Sequence, residues 1–248
     1  QDETEIETLI VTSMDDFSNP QYDASAADEV RFMQALRLGD ELAPVTIDRE
    51  LDDLALLQYT GGTTGVAKGA MLTHANLVAN LTQVRPMLED QVEEGKEVVI
   101  APLPLYHIYS FTLNCGIMLE AGAHNVLIPN PRDIPGFVKE LQKQKFSAFI
   151  GLNTLFVALC NNEDFQDLDF SGLKLTASGG MALTSDTAKM WQRVTGCEIS
   201  EGYGMTETSP VVTFNPRSAI QIGTIGLPIP STVVKTIDDD GNETPVGE

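Results

Sequence analysis

The sequence predicts an α/β protein in which a mostly parallel sheet is flanked by helices. Between residues 54 and 200, short apolar segments alternate with segments of helical character, a pattern typical of parallel α/β architecture. Near the C-terminus, the apolar segment 232–237 precedes the turn pair Asp240-Gly241, which favours a hairpin. We therefore expect a layered α/β unit, with the start of a β-rich subdomain at the C-terminus.

Composition indicates a soluble globular protein. The 248 residues are 42% hydrophobic, which suits one large or two small domains, and no apolar run approaches the length of a membrane-spanning helix. The first ten residues lack the basic and apolar regions of a signal peptide. Three widely spaced cysteines, Cys115, Cys160 and Cys197, argue against a disulfide framework or a cysteine metal site. We expect a cytoplasmic location.

The charge balance argues against nucleic acid as a partner. The formal net charge is −21, from 36 acidic and 15 basic residues, and such a surface repels nucleic acid and anionic lipid at long range. Residues 1–53 hold 15 of the acidic side chains and three arginines. This acidic segment is interpreted as a solvated face or an adaptation to salt rather than a docking site for a basic partner.

The elements before residue 60 follow from local patterns. Residues 8–12 are predicted to form a strand, and residues from Ser25 or Ala26 to 38 a helix that Gly39 stops. A polar connection over 44–53 leads to an apolar run at 54–57, which is predicted to be a buried strand that extends to residue 59.

After residue 72 the helix signals are clearer. Thr73 is a good N-cap for a helix to about residue 84, and Pro86 ends or kinks it. Asp133 and Pro135 open another helix in the same way. That helix is predicted to run over 133–143, and the other predicted helices are 108–119, 154–160 and 184–194. The other predicted strands are 97–101, 123–128, 146–150, 173–177 and one that starts at 198.

The stretch 58–74, QYTGGTTGVAKGAMLTH, carries the strongest chemical pattern. Glycines let backbone N–H groups approach an anion, hydroxyls add donors, and a lysine supplies mobile positive charge, so the loop suits a polyphosphate. It is not a Walker A loop, because Ala67 precedes Lys68 and Gly69 follows it. The alternative is a flexible turn. The candidate phosphate ligands are Thr60, Gly61, Gly62, Thr63, Thr64, Gly65 and Lys68.

This stretch resembles the phosphate loop of the adenylate-forming (AMP-binding) enzyme superfamily, and it is most similar to that of bacterial long-chain fatty acid–CoA ligases. Residues 102–114, PLPLYHIYSFTLN, are similar to the aromatic acyl-site motif of these enzymes. Residues 178–183, SGGMAL, look like the adenine-side segment, and residues 201–210, EGYGMTETSP, resemble the signature segment. The resemblance implies an acyl-CoA synthetase-like fold over essentially the whole chain.

The resemblance also implies a reaction in two halves. A long-chain fatty acid carboxylate attacks the α-phosphorus of ATP and releases pyrophosphate; coenzyme A then attacks the acyl-adenylate and expels AMP. ATP, Mg²⁺ and coenzyme A are the implied cofactor and co-substrates. The carboxylate is already nucleophilic at neutral pH, so the protein has to position groups and neutralise charge.

By resemblance, the catalytic residues are Lys68, His107, Thr206 and Glu207. Lys68 would hold the leaving phosphates, Thr206 would donate to the α-phosphate, and Glu207 would bind Mg²⁺, which favours carboxylate oxygen. His107 would orient the carboxylate or the thiol. The alternatives are a capping pair for Thr206-Glu207 and a packing role for His107.

The adenine would lie between an aromatic ring and glycine backbone. Tyr203, with Gly204 beside it, would stack on the base, and Gly179, Gly180 and Met181 would form the opposite wall. The alternative is a tight strand-to-helix turn beside a core tyrosine. Phe111 falls where related long-chain enzymes place a gate to the acyl tunnel.

The resemblance places the chain in the middle of a larger enzyme. Residues 1–231 would be part of the N-terminal AMP-binding domain, and residues 232–248 the start of a β subdomain. The ribose-binding aspartate and the C-terminal catalytic-lysine domain would be absent, and a fragment of this kind is expected to be inactive alone. Peripheral membrane association at the inner face and a homodimer are left open.

Two other hypotheses about function remain open. One is an adenylating enzyme for another carboxylate, such as an aryl or amino acid. An amino acid substrate would need an acidic residue to pair with its ammonium group, and segments 102–114 and 178–183 contain neither Asp nor Glu. The other is a non-catalytic nucleotide-binding module.

Overall fold

The structure, a computed structural model, describes residues 9–12, 29–60, 67–245 and 247, and it divides the chain into two compact units, residues 1–49 and 50–248. In the first unit, β1 (Leu9–Val11) pairs in parallel with β2 (Glu29–Arg31), and α1 (Phe32–Asp40) follows directly. The strand predicted over 8–12 is confirmed for residues 9–11. The predicted helix start at Ser25 or Ala26 lies outside the described residues. The prediction that residues 29–31 belong to this helix is wrong, because they pair with β1, a non-local contact.

In the described part of the second unit, one seven-stranded sheet carries the fold. Its strands are β5 (Val98–Ala101), β6 (His124–Leu127), β7 (Ala148–Gly151), β8 (Leu175–Ser178), β9 (Ile199–Gly204), β10 (Val211–Phe214) and β11 (Leu227–Pro228). Their order in the sheet is β11-β10-β9-β8-β7-β5-β6. Strands β5 to β9 are parallel to one another, whereas the pairs β9–β10 and β10–β11 are antiparallel. The predicted α/β class with a mostly parallel sheet is confirmed.

The helices lie close to their predicted positions. The segment predicted as a helix over 108–119 begins as α3 (Ile108–Ser110) and continues as a π-helix, Phe111–Met118, which the sequence did not indicate. None of the helices in the described residues could span a membrane. The others are α2 (His74–Val84), α4 (Ile134–Leu141), α5 (Asn153–Cys160), the short α6 (Glu163–Gln166) and α7 (Ser185–Thr195), with 3₁₀ turns at Arg85–Leu88, Thr206–Thr208 and Arg217–Ala219.

The central strands are buried on both faces. On one face, Phe149 and Phe156 pack around the fully buried Trp191 of α7. On the other, Ile150 and Ile117 join a second cluster under α2 and the π-helix. Full burial of one such side chain contributes roughly 1.5–3 kcal/mol, so these two clusters hold the sheet between its helices.

The glycine-rich stretch departs from the parallel pattern. β3 (Leu54–Thr60) pairs antiparallel with β4 (Lys68–Thr73) in a separate two-stranded sheet. The prediction that 54–59 is buried is wrong, because Leu57 and Tyr59 are 54% and 64% exposed. β4 was not expected, because its sequence KGAMLT has few strand-forming residues and depends on its pairing with β3.

The C-terminal segment is only partly as predicted. The turn at Asp240-Gly241 exists, and Asp238 Oδ1 accepts bonds from the amides of Asp240 and Asn242. Residues 232–237 form no strand; a single bridge joins Ile237 to Glu243. Val233 is 94% exposed, so this segment buries no apolar face. The predicted boundary between 231 and 232 stays a prediction.

A buried ion pair lies at the amino ends of β5 and β8. Lys174 Nζ lies 2.7 Å from Glu97 Oε1, and the side chain of Glu97 is 1% exposed. Burial alone would raise the pKa of Glu97, but bonds from Lys174, the Ser147 hydroxyl and the Glu93 amide outweigh it and hold the pKa below its usual value. The carboxylate is therefore charged in the folded protein at neutral pH.

Replacing Lys174 by Met should lower the free energy of unfolding at pH 7 by about 2 kcal/mol or more, since it leaves a buried carboxylate unpaired. A depressed carboxyl pKa contributes stability above the unfolded pKa, which is lost as the pH falls through the folded pKa. The difference between variant and wild type should therefore shrink at pH 3. Urea denaturation at both pH values measures this difference.

Lys96→Met, which removes an exposed partner of Glu93, is the control and should change stability by less than about 1 kcal/mol. An undiminished difference between the Lys174 variant and wild type at pH 3 would contradict the pairing of a charged Glu97 with Lys174.

Candidate functional site

A cavity of about 210 Å³ opens near the carboxyl ends of β5 and β8 and along β9. β5 has β6 on one side and β7 on the other, and ligands of open α/β sheets bind outside the carboxyl ends of the strands, where the strand order reverses in this way. The lining comes from four separate segments and helix α2. These segments lie within residues 107–113, 178–180, 202–206 and 210–214.

His107 immediately precedes α3 and lines this cavity. It is the N-cap of α3, and its Nδ1 accepts a hydrogen bond from the Tyr109 amide at 3.2 Å. Because that bond uses the Nδ1 lone pair, a neutral His107 carries its proton on Nε2. The side chain is thus both the cap that begins the helix and a hydrogen-bond donor available to a ligand.

Tyr109 is a cavity residue that sequence reasoning missed. Its hydroxyl donates to the Gly151 carbonyl at 3.4 Å, and burial raises the pKa of the phenol, which keeps it neutral. A Cβ added at Gly179 would lie 3.1 Å from the Tyr109 ring. The glycine therefore lets the segment 178–180 lie directly on this ring, which is a packing reason for the first glycine of the predicted adenine wall.

Glu201 was also missed, and it ties two predicted segments together. It is buried, and its Oε1 accepts a hydrogen bond from the Leu183 amide at 2.9 Å. Its backbone carbonyl accepts from the amide and the side chain of Asn215. Burial raises the pKa of this carboxyl, and the Leu183 amide opposes that shift. Nothing local in the sequence distinguished Glu201 from a surface glutamate.

The segment after β9 forms a closed turn. The Met205 amide donates to the Pro210 carbonyl at 3.1 Å, and the Ser209 amide donates to the Thr206 carbonyl at 3.3 Å. Thr206 is half-buried and lines the cavity, whereas Glu207 is exposed and does not. Tyr203, on β9, lines the cavity with 42% of its surface exposed.

The hairpin β3–β4 carries the described ends of the predicted phosphate loop. Thr60 Oγ1 donates to the Lys68 carbonyl at 3.4 Å, and Lys68 is exposed. Gly61, Gly62, Thr63, Thr64 and Gly65 lie outside the described residues. Strand β4 contacts the turn Thr206–Thr208, so the hairpin and the turn are neighbours.

The structure therefore brings together some of the predicted residues. His107, Gly179, Gly180, Tyr203, Gly204 and Thr206 share the cavity. Lys68, Phe111, Met181 and Glu207 do not line it, although Glu207 belongs to the same turn as Thr206.

Among the predicted site residues that the structure describes, Glu207 is the carboxylate that could contribute to a bound Mg²⁺. Within the described ranges, no group of three or more His, Cys, Asp or Glu side chains could hold a metal. Glu207 is a single exposed carboxylate, and Mg²⁺ characteristically uses one or two carboxylates together with phosphate and water. A resident metal site built wholly from described side chains does not fit.

Comparison with known proteins identifies the family. Residues 1–248 match the family described as AMP-binding enzyme. The chain belongs to the AMP-binding enzyme family. Within this family it is 52% identical, over 89% of its length, to a long-chain-fatty-acid–CoA ligase from Salmonella typhimurium. The chain spans about 40% of the length of that relative.

Solved structures of AMP-binding enzymes share the fold. A long-chain-fatty-acid-CoA ligase from Archaeoglobus fulgidus matches with a TM-score of 0.76 and 25% identity, over 98% of this chain and 52% of that one. The ATP-bound MatB from Rhodopseudomonas palustris matches with a TM-score of 0.70 and 31% identity, over 83% of this chain and 40% of that one.

Two glycines of the cavity should respond differently to alanine. A Cβ at Gly204 would lie 2.1 Å from the Pro210 carbonyl oxygen, whereas one at Gly180, which has a φ of +77°, meets nothing within 4 Å. Gly204→Ala should therefore force the turn open and lower the free energy of unfolding by about 2–3 kcal/mol. Gly180→Ala should cost only the left-handed backbone penalty of about 1 kcal/mol. Urea denaturation of both variants measures the difference, and equal losses would contradict the close contact at Gly204.

Proposed function

We propose that this chain carries the nucleotide and acyl sites of an ATP-dependent long-chain fatty acid–CoA ligase. The observation that carries the proposal is the convergence of the segments at 107, 179, 203 and 206 on one cavity at the carboxyl end of a parallel sheet. The identity to long-chain-fatty-acid–CoA ligases supports the substrate class.

The adenylate would lie along β9. Tyr203 offers a half-exposed ring to the adenine, and Gly179 and Gly180 offer backbone against its opposite face. Thr206, at the start of the turn, would donate to the α-phosphate. Lys68, Thr60 and the loop residues 61–65 would hold the β- and γ-phosphates from the neighbouring hairpin, where an exposed lysine acts as a movable point charge.

Magnesium would enter with ATP as the MgATP substrate, and Glu207 would supply one carboxylate to it. This assignment rests on the position of Glu207 beside Thr206 and on the oxygen preference of the ion. Charge neutralisation at the leaving pyrophosphate is the chemistry that the ion adds.

The proposed reaction forms and breaks bonds at two centres, the α-phosphorus of ATP and the acyl carbonyl carbon. A fatty acid carboxylate oxygen attacks the α-phosphorus, and the bond to pyrophosphate breaks. The coenzyme A thiolate then attacks the acyl carbonyl, and the bond to AMP breaks. His107 would orient the carboxylate by donating from Nε2, because Nδ1 is already occupied by the Tyr109 amide.

An amino acid substrate is disfavoured. The ammonium group of an amino acid would need an acidic partner, and the described residues that line the cavity include neither Asp nor Glu. The buried Glu201 accepts a hydrogen bond from Leu183 and does not line the cavity. A cytoplasmic location, peripheral membrane association and a homodimer remain predictions.

In the full-length enzyme, replacing Lys68 by Ala should raise the KM for ATP by about tenfold to a hundredfold, the range for losing a hydrogen bond to a charged group. The KM for fatty acid should stay within about twofold. ATP–pyrophosphate exchange with palmitate measures both. Lys143→Ala, which removes an exposed lysine paired with Glu140 on the surface, is the matched control and should change neither. Unchanged ATP kinetics in the Lys68 variant would remove this lysine from the site.

A further inference from the structure

Asn80, on helix α2, binds strand β10 with both ends of its amide. Asn80 Nδ2 donates to the Val211 carbonyl at 2.8 Å, and the Val211 amide donates to Asn80 Oδ1 at 3.1 Å. The side chain is 3% exposed. A reciprocal pair of this kind imitates the pairing of a neighbouring strand, and it fixes the position of the helix along the strand because a slip of one residue breaks both bonds.

Val211 is linked directly to the turn that carries Thr206. It follows Pro210, whose carbonyl accepts the hydrogen bond from Met205, and it pairs in register with Gly204. The turn is therefore closed just before Val211. Fixing Val211 therefore restrains the ends of the turn that contains Thr206 and Glu207.

The other end of α2 is linked to the hairpin that carries Lys68. β4 runs from Lys68 to Thr73, and Thr73 is the N-cap of α2 in a reciprocal capping box with Asn76. The Asn76 amide donates to Thr73 Oγ1 at 3.2 Å, and the Thr73 amide donates to Asn76 Oδ1 at 3.0 Å. Strand and helix thus meet at a fixed angle.

We propose that Asn80 is a positioning residue that holds the Thr206–Glu207 turn at a set distance from the Lys68 hairpin, so that both can bind one MgATP. The inference rests on the proposed function. A ligand that spans both segments requires the correct distance between them, whereas a ligand held by one segment can follow its movement. The separation set by Asn80 therefore matters for ATP and much less for AMP, which has no β- or γ-phosphate for the hairpin to hold.

Asn80→Asp tests this with little change in volume. The aspartate can still accept from the Val211 amide, but it loses the donor and faces the Val211 carbonyl with a charge. Asn80→Leu is the second variant and removes both bonds. Gln83→Leu is the matched control: Gln83 lies on the same helix, and its Nε2 donates to the Pro230 carbonyl at 2.8 Å, outside the turn.

Calorimetry of the full-length protein with MgATP and with AMP gives the functional readout. The Asn80 variants should weaken MgATP binding about tenfold, equivalent to the loss of one or two hydrogen bonds, and AMP binding by less than about threefold. The Gln83 variant should change neither ligand by more than about twofold. Equal weakening of MgATP and AMP by the Asn80 variants, or the same pattern from Gln83→Leu, would overturn the inference.

Hydrogen–deuterium exchange without nucleotide tests the positioning role of Asn80 independently of the proposed function. The Asn80 variants should speed exchange of the amides of Met205, Ser209 and Val211, while those of the central strand β7 keep their protection. Unchanged exchange at the turn would overturn the inference even if the wild type binds nucleotide. If the wild type binds neither MgATP nor AMP, the proposed function fails, and exchange at the turn still shows whether Asn80 holds it.

Discussion

The two-sided burial of the parallel strands is the constraint on which the rest of the structure depends. Phe149 and Ile150 are adjacent in β7, and each is fully buried in a different cluster. A strand packed in this way has no free face for a ligand. Polar groups can reach a ligand where the strands end, so residues at and just after the ends of β5, β8 and β9 line the cavity.

Convergence of distant segments follows from the same constraint. The carboxyl ends of parallel strands meet at one edge, and His107, Gly179 and Thr206 lie there although they are far apart in sequence. The antiparallel strand β10 then turns the chain back beside β9, where it meets Asn80 of α2. The sheet end, the closed turn and the neighbouring hairpin therefore lie close together.

Sequence patterns were sufficient for features that depend on local chemistry. The caps at Thr73 and Asp133 form as their residue types suggest, and the family resemblance pointed to Gly179 and Tyr203, which both line the cavity. Features that depend on distant partners were missed: Tyr109 lies on Gly179, Glu201 bonds to Leu183, and β4 exists because β3 pairs with it. The π-helix is another such feature. It packs against α2, where a Cβ at Gly116 would lie 2.5 Å from Leu81, and periodicity alone cannot show that contact.

The most direct test of a single shared MgATP site is a double-mutant cycle between the hairpin and the turn. The affinity for MgATP would be measured by calorimetry for wild type, Lys68→Ala, Glu207→Gln and the double variant. Groups that act on the same phosphates are coupled by about 0.5–3 kcal/mol, whereas independent sites add within about 0.3–0.5 kcal/mol. A shared site predicts that the double variant loses less affinity than the sum of the two single losses. Strict additivity, or no loss in either single variant, would contradict it.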